Sequence, residues 1–401
     1  MGPTKVRTIA VCLALFALLC GGVYGEGNAG GPADSHSAGH LAAHAETLTS
    51  RINELVEPWK LKNAPGMAAL LIRDGRVEYR AAFGFADLDA RTPITSNTQF
   101  LLASVTKQFT AMAIMILVER HKLRLGDTLA TFCPEFPAYA RTITIRHLLN
   151  HTAGLTQYQE LLVGKIDPDQ YFRSSKSPPA AHEFTASEAL QALSRQEKLR
   201  FPPGEKFEYS DSAYVLLAQI IERITGERYA EFLKDTIFDP LGMKDTLVVD
   251  ERKQKVPRLA LAYAMHDGRW RDITYSPENS IYGEDGIYST VNDLYKWDQA
   301  LYTERLVSHA MLEKAFTPSL ANDGKEITTD ILLPRPSSYG FGWFISSLGG
   351  EKDVEHSGWW AGYNTYILRV PSRRVTSIVL TNASNDDVAS IAEQMVEIGM
   401  N

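Results

Sequence analysis

Met67-Ala-Ala-Leu-Leu-Ile-Arg-Asp-Gly-Arg-Val-Glu-Tyr-Arg-Ala-Ala-Phe83 decides the fold class. Two apolar runs, Met67 to Ile72 and Val77 to Phe85, flank Asp74-Gly75. Both positions of a two-residue hairpin turn need positive φ, and an Asp-Gly pair supplies it. The chain therefore opens its folded part with an antiparallel pair. Upstream, Leu48, Ile52, Leu55 and Trp59 form one apolar stripe of a helix, which Pro58 and Pro65-Gly66 break.

The C-terminal end returns to strands. Gly340 to Ser346, Val354 to His356, Asn364 to Val370 and Val375 to Asn382 are short, β-branched and separated by turn residues. Asp387 to Ile398 reads as a closing helix. Between the two ends the pattern is helical: Ser104 to Glu119, Ile145 to His151 closed by Gly154, Ser187 to Ser194, Ser212 to Thr225 closed by Gly226, Asp293 to Tyr302 and Ser308 to Phe316. Strands at both ends with helices between predict an α/β (α+β) fold. One antiparallel sheet takes strands from both termini, and an all-helical lobe is inserted. The sheet lobe is expected over about 45–125 and 275–401, and the helical lobe over about 126–274.

The whole chain has 401 residues, 44% hydrophobic and 22% charged, enough for a sizeable core. Its net charge of -7, with no Lys/Arg-rich run, excludes nucleic acid as a natural partner class. Lys5 and Arg7 precede an apolar run from Ile9 to Leu19, and Val23-Tyr24-Gly25 follows. That order predicts a signal peptide over 1–25, cleavage near Gly25 and an exported, periplasmic or secreted, protein. The run is too short to span a bilayer, and no later segment reaches spanning length, so no stable membrane span is expected. Lipid attachment at Cys20 is disfavoured because bulky Leu19 precedes it. Residues 26–44, rich in Gly, Ala and Ser at their start, read as a flexible linker, and 45–401 as the folded domain. The mature chain would keep only Cys133, which excludes an internal disulfide and a thiolate metal site. No sequence feature sets an oligomeric state.

Ser104-Val105-Thr106-Lys107 is the only Ser-x-x-Lys tetrad. Alone it carries little, since Ser is also a favoured helix N-cap. Its context adds weight, because the apolar run from Phe109 to Leu117 makes this a buried helix. Residues three apart share a helical face, which brings Lys107 beside the Ser104 hydroxyl. A serine needs a base to become a nucleophile. Burial favours neutral lysine, and a helix N-terminus offers free N–H groups to a reacting carbonyl.

Two further clusters follow. Tyr209-Ser210-Asp211 precedes a helix, with Asp211 or Ser212 as its expected N-cap. Near cations, the Tyr209 phenol could move toward phenolate and act as a general base. His356-Ser357-Gly358-Trp359 falls at a predicted strand end. There Gly358 would let the backbone pass close to a substrate, and the Trp359 N–H could complete an oxyanion hole with that of Ser104.

Taken in order, Ser-x-x-Lys, Tyr-x-Asn-like and His-Ser-Gly boxes resemble those of the penicillin-recognising serine hydrolases. The likeness is greatest to the branch holding class C β-lactamases, D-alanyl-D-alanine carboxypeptidases with a His-Thr-Gly box and family VIII esterases. Ile143-Thr-Ile-Arg-His-Leu-Leu-Asn-His-Thr-Ala-Gly-Leu155, Phe201-Pro-Pro-Gly-Glu-Lys-Phe-Glu-Tyr-Ser210 and Gly286-Ile-Tyr-Ser-Thr290 extend the resemblance from about Leu48 onward. It implies a cleft between two lobes and no metal or organic cofactor. It also implies an acyl-enzyme on Ser104, with proton transfers shared by Lys107 and Tyr209. His356, Ser357 and Gly358 would line the substrate strand. The expected partner is a small-molecule or peptide substrate with an ester, amide or D-Ala-type peptide bond. The alternative is a slowly acylating or non-catalytic penicillin-binding scaffold on the same fold.

Two positions depart from the family pattern. Asp211 stands where the Tyr-x-Asn box has asparagine, the residue that in relatives helps position the motif lysine and the substrate's amide side chain. Its carboxylate would favour charged Lys107 and repel anionic substrates. His356 replaces lysine, as in the peptidase and esterase branches, and being mostly neutral at pH 7 it grips a substrate carboxylate less. His147 and His151 are four apart, but Leu148 stands where a zinc-helix Glu would be, so both are expected to be structural. No Gly-x-Ser-x-Gly elbow occurs, since Glu355 precedes His356-Ser357-Gly358. Trp359, Trp360 and Tyr363 could stack on a substrate or pack the sheet. The stretch from Leu162 to Phe184 is a solvated loop or a lip over the cleft.

Overall fold

The computed structural model describes residues 37–162, 174–176, 182–250, 254–329, 335–360, 362–384 and 387–401. The expected signal peptide, most of the expected linker and most of the Leu162–Phe184 stretch lie outside these. The chain divides into two compact units, Met1–Thr47 and Leu48–Asn401. Helix α1 (Ser37–Val56) begins inside the segment expected as linker. Its part from Leu48 on belongs to the second unit, where Leu48, Ile52 and Val56 are buried. Leu55 and Trp59 of the expected stripe are partly buried against the same core.

An eight-stranded antiparallel sheet dominates the second unit. Its strands are β1 (Met67–Arg73), β2 (Arg76–Phe83), β3 (Thr328–Thr329), β4 (Ser337–Tyr339), β5 (Phe344–Leu348), β6 (Glu351–Trp360), β7 (Tyr363–Val370) and β8 (Val375–Thr381). They lie in the order β3-β4-β5-β6-β7-β8-β1-β2, so β1, from the N-terminal side, pairs with the last strand, β8. The β1–β2 hairpin closes with Arg73 opposite Arg76, and Asp74 and Gly75 sit at φ 50° and 76°. Those two positive angles are what the Asp-Gly pair is needed for.

Side-chain alternation puts a core on each face of the sheet. Ala68, Leu70 and Ile72 of β1 join one core with Phe109, Met112 and Trp297. Met67, Ala69 and Leu71 join the other with Ile52, Met395 and Val396. Helix α2 (Thr106–Glu119) supplies the first core, and every residue from Thr106 to Leu117 is buried. A helix buried all round belongs in the interior. Each large apolar side chain there contributes roughly 1.5–3 kcal/mol on burial.

Most of the remaining helices lie between β2 and β3, among them α3 (Tyr158–Leu162), α4 (Asp211–Thr225) and α5 (Val291–Ala300). Gly226 caps α4 in the left-handed conformation at φ 74°, where a Cβ would be strained. Helix α6 (Val388–Met400) closes the chain, and Arg73 donates to the Gly399 carbonyl near its C-terminus. Among the described residues, no helix is long and apolar enough to cross a membrane.

Strand β6 corrects the sequence reading. His356-Ser357-Gly358-Trp359 lies inside a ten-residue strand, not at a strand end. Ser and Gly read locally as turn residues, but pairing with β7 from Val354 to Trp360 overrides that preference.

Candidate active site

Ser104 sits in a single 3-10 turn, Ala103–Val105, that leads into α2. Three contacts fix this turn. The Leu102 N–H donates to the Ile287 carbonyl at 2.8 Å. The Leu102 carbonyl accepts from Thr365 Oγ1 of β7 at 2.7 Å. On β6, a Cβ at Gly358 would lie 2.1 Å from that same carbonyl. Gly358 is therefore required by the turn beside Ser104, whereas the sequence assigned it to substrate approach. Ala103 is held at φ 47°, a left-handed position costing a non-glycine residue about 1 kcal/mol or more. No side chain caps either the 3-10 turn or α2. The Ser104 hydroxyl is thus not an N-cap. It accepts a hydrogen bond from Lys107 Nζ at 2.9 Å.

Lys107 is fully buried, and its ammonium has three hydrogens to place. Besides Ser104 Oγ, Nζ lies 2.8 Å from Asp211 Oδ1 and 3.1 Å from the Glu284 carbonyl. Glu284 Oε2 stands farther off at 3.4 Å. Burial alone favours the neutral amine, which was the expectation from the apolar helix. Asp211, Tyr209 and Glu284 outweigh it and hold the lysine well above its ordinary pKa. The resting lysine is charged, which corrects the burial argument and agrees with the reasoning from Asp211.

Tyr209 precedes α4 on a segment clamped by Gln157. The Gln157 side chain donates to the Tyr209 carbonyl at 2.8 Å and accepts from the Asp211 N–H at 3.0 Å. His151 stacks on the Tyr209 ring at 4.3 Å, and its Nδ1 accepts from the Ser210 N–H at 3.0 Å. The Tyr209 ring also lies 4.9 Å from Lys107 Nζ. Burial pushes its phenol up to about 12, against the pull of Lys107 and of hydrogen bonding with Lys107 and Ser104. The resting group is a phenol, so the expected drift toward phenolate is reversed. Ser210, rather than Asp211 or Ser212, caps α4 by accepting from the Ala213 N–H at 3.2 Å. Asp211 becomes the first helical residue, where a carboxylate suits the helix dipole.

His356 is 1% exposed. Its Nδ1 donates to the Ser357 carbonyl at 2.7 Å, and its Nε2 accepts from the Tyr339 hydroxyl at 3.1 Å. Burial, with Lys107 nearby, pushes its pKa down to about 3. The imidazole is neutral, with both nitrogens engaged. Strand β5 pairs with β6 only as far as Glu355, so among the described residues 356–360 keep one edge unpaired. Trp359 is 44% exposed there, while Tyr363 is fully buried and donates to the Ala260 carbonyl. Of the three aromatics weighed for stacking, Trp359 is the most open.

Sequence reading missed several residues that meet Lys107 or Tyr209. Glu284 lies two residues before the Gly286–Thr290 match, and that nearness was its one available signal. Tyr158, the first residue of α3, lies against it and against Glu278. His147 completes a capping box with Thr144, so the two histidines four apart serve separate structures.

A family model described as beta-lactamase matches residues 52–399. The chain belongs to the beta-lactamase family. Penicillin-binding protein 4* of Bacillus subtilis (strain 168) is 32% identical over 359 residues, covering 86% of this chain and 72% of that protein. The octameric penicillin-binding protein homologue from Pyrococcus abyssi matches with a TM-score of 0.74 at 29% identity, over 88% of this chain and 77% of the other. D-amino acid amidase from Ochrobactrum anthropi SV3 shares the fold at TM-score 0.69 and 22% identity, over 89% and 97%.

Proposed function

We propose that this beta-lactamase-family chain is an exported serine hydrolase that acylates Ser104 and cleaves an ester, amide or D-Ala-type peptide bond. The observation carrying this is the 2.9 Å contact between Lys107 Nζ and a Ser104 hydroxyl not spent on capping. In the proposed reaction Lys107 first loses a proton to solvent, and the Ser104 O–H proton then passes to its free amine, directly or through Tyr209. The oxygen attacks the substrate carbonyl, the leaving group takes up a proton, and water then releases the acyl group. The Ser104 and Trp359 N–H groups are assigned to the oxyanion, and 356–358 to the substrate's backbone.

Asp211 and the neutral, buried His356 support substrates without a carboxylate near the scissile bond. Export rests on the N-terminal sequence alone. A slowly acylating penicillin-binding protein is the second reading, and the Lys107–Asp211 pair favours it because a charged lysine cannot accept the serine proton. A short-chain p-nitrophenyl ester, a D-Ala-D-Ala peptide and nitrocefin, compared on one preparation, test the substrate. Mass spectrometry after a fluorophosphonate or a fluorescent penicillin should show one adduct, on Ser104, and none in Ser104→Ala. No adduct on wild-type protein would remove the hydrolase reading, and a permanent penicillin adduct without ester turnover would select the second.

A further inference from the structure

His151 is fully buried, and its backbone is held at φ 59°, a left-handed position that few non-glycine residues occupy. Its Nε2 has no hydrogen-bond partner among the described residues. Both features are destabilising where they stand, which points to what the residue holds in place around it.

What it holds is the Tyr209 segment. The Glu208 N–H donates to the His151 carbonyl at 2.9 Å, and the Ser210 N–H donates to its Nδ1 at 3.0 Å. The residues on either side of Tyr209 are therefore both tied to His151. Between them the Tyr209 ring lies on the imidazole, with centroids 4.3 Å apart and planes at 33°. Tyr214 and Tyr339 close round the same imidazole at 5.1 and 4.6 Å. Tyr339 in turn donates to His356 Nε2 at 3.1 Å.

The Ser210 hydrogen bond settles the tautomer. A backbone N–H can only donate, so His151 Nδ1 presents a lone pair and the ring's one hydrogen sits on Nε2. A hydrogen on Nδ1, in the other tautomer or in a charged ring, would set two N–H groups face to face. Burial, with Lys107 and His356 nearby, also holds this imidazole well below its ordinary pKa. The unpartnered Nε2–H is thus the consequence of keeping Nδ1 open for Ser210. We propose that His151 is a positioning residue of the site, a neutral imidazole whose Nδ1 holds Ser210 and so sets Tyr209 against Lys107. Ser210 transmits the placement, since it is extended at φ -140° while its hydroxyl caps α4. The Tyr209 ring then lies 4.9 Å from Lys107 Nζ.

The rate consequence rests on the proposed relay through Tyr209, whereas the tautomer is read without turnover, so the two fail separately. Ring-nitrogen NMR spectra of histidine-labelled protein at pH 7, with His151 assigned by its loss in His151→Asn, should show Nδ1 bare and Nε2 protonated. A proton on Nδ1 overturns the proposal, whether or not the protein hydrolyses anything. Two variants then separate the acceptor from the ring. His151→Phe keeps a flat ring on Tyr209 but leaves the Ser210 N–H without its acceptor. Its burst of p-nitrophenyl ester acylation should slow by about ten- to hundredfold, with the half-saturating ester concentration unchanged. His151→Asn loses the ring, but asparagine accepts the left-handed backbone and its amide oxygen can take the place of Nδ1. That variant should stay within about threefold of wild type. His151→Asn as slow as His151→Phe, with both folded at the assay temperature, would reduce His151 to packing and overturn the proposal. The gap between the two should also close in a Tyr209→Phe background, and a gap that persists there would overturn the link to Tyr209.

Discussion

Asp211→Asn isolates one charge beside the proposed base, Lys107. The side chains have the same shape, and an amide oxygen can still accept from Lys107 Nζ at the 2.8 Å observed for Oδ1. At that separation the gross attraction is about 6 kcal/mol for an effective dielectric of 20. Most of it offsets the desolvation of a lysine that is 0% exposed, and Asp211, 21% exposed, is partly screened by water. The net difference between a charged and a neutral acceptor is about 1.5–3 kcal/mol. At about 1.4 kcal/mol per decade, the fraction of free amine at pH 7 should rise by roughly ten- to hundredfold.

Acylation of Ser104 by a neutral p-nitrophenyl ester, followed as the pre-steady-state burst, should rise by a similar factor. Because Lys107 lies above its ordinary pKa, wild-type acylation should climb as pH rises, and the variant should begin climbing at lower pH. Nitrocefin, which carries a carboxylate, should gain more than the ester because a repulsion is lost as well. An unchanged or lower burst rate would refute the assignment of Asp211 as the brake on Lys107. An equal gain on both substrates would refute the repulsion alone.

The architecture around the turn supports further expectations. Gly358→Ala puts a Cβ about 2 Å from the Leu102 carbonyl, so it should lower stability by about 1–3 kcal/mol. Its burst rate should fall by about 100-fold as Ser104 is displaced, and a melting curve and burst assay matching wild type would contradict the packing argument. Thr365→Val leaves the buried Leu102 carbonyl without its 2.7 Å partner and should cost about 1–3 kcal/mol in urea unfolding. Glu355, buried in β6 beside Arg335, has its carboxyl pushed by burial from 4.5 up to about 7. The folded state then binds the extra proton, so about 3 kcal/mol of stability is present below pH 4.5 and lost as pH rises toward 7. Glu355→Gln should remove that part of the fall, and an identical pH slope in the variant would count against it.

What the sequence made legible divides along the distance over which a residue acts. The Asp74-Gly75 hairpin, the Ser104–Lys107 spacing and the Gly226 cap are all settled within a few residues, and each takes the form that local chemistry demands. The extent of β6 was not legible, because Ser357 and Gly358 have turn chemistry and only the facing residues of β7 make them strand. The charge of Lys107 was half legible. Burial and Asp211 argue in opposite directions, and the direction became plain only with the fold, which sets Asp211 Oδ1 2.8 Å from Nζ.

Tyr209 shows the same limit more sharply. Its position was readable from the Tyr-Ser-Asp box, but its protonation depends on burial that no window of sequence contains. In this family member the residues expected to move protons are individually recognisable, while their resting state belongs to the set. Lys107 holds its proton because Asp211 replaces an amide, and Tyr209 holds its own because its half-buried phenol is desolvated. The Ser104 hydroxyl therefore faces two filled bases. In the proposed reaction, acylation at neutral pH therefore begins with one of them, Lys107, giving up its proton.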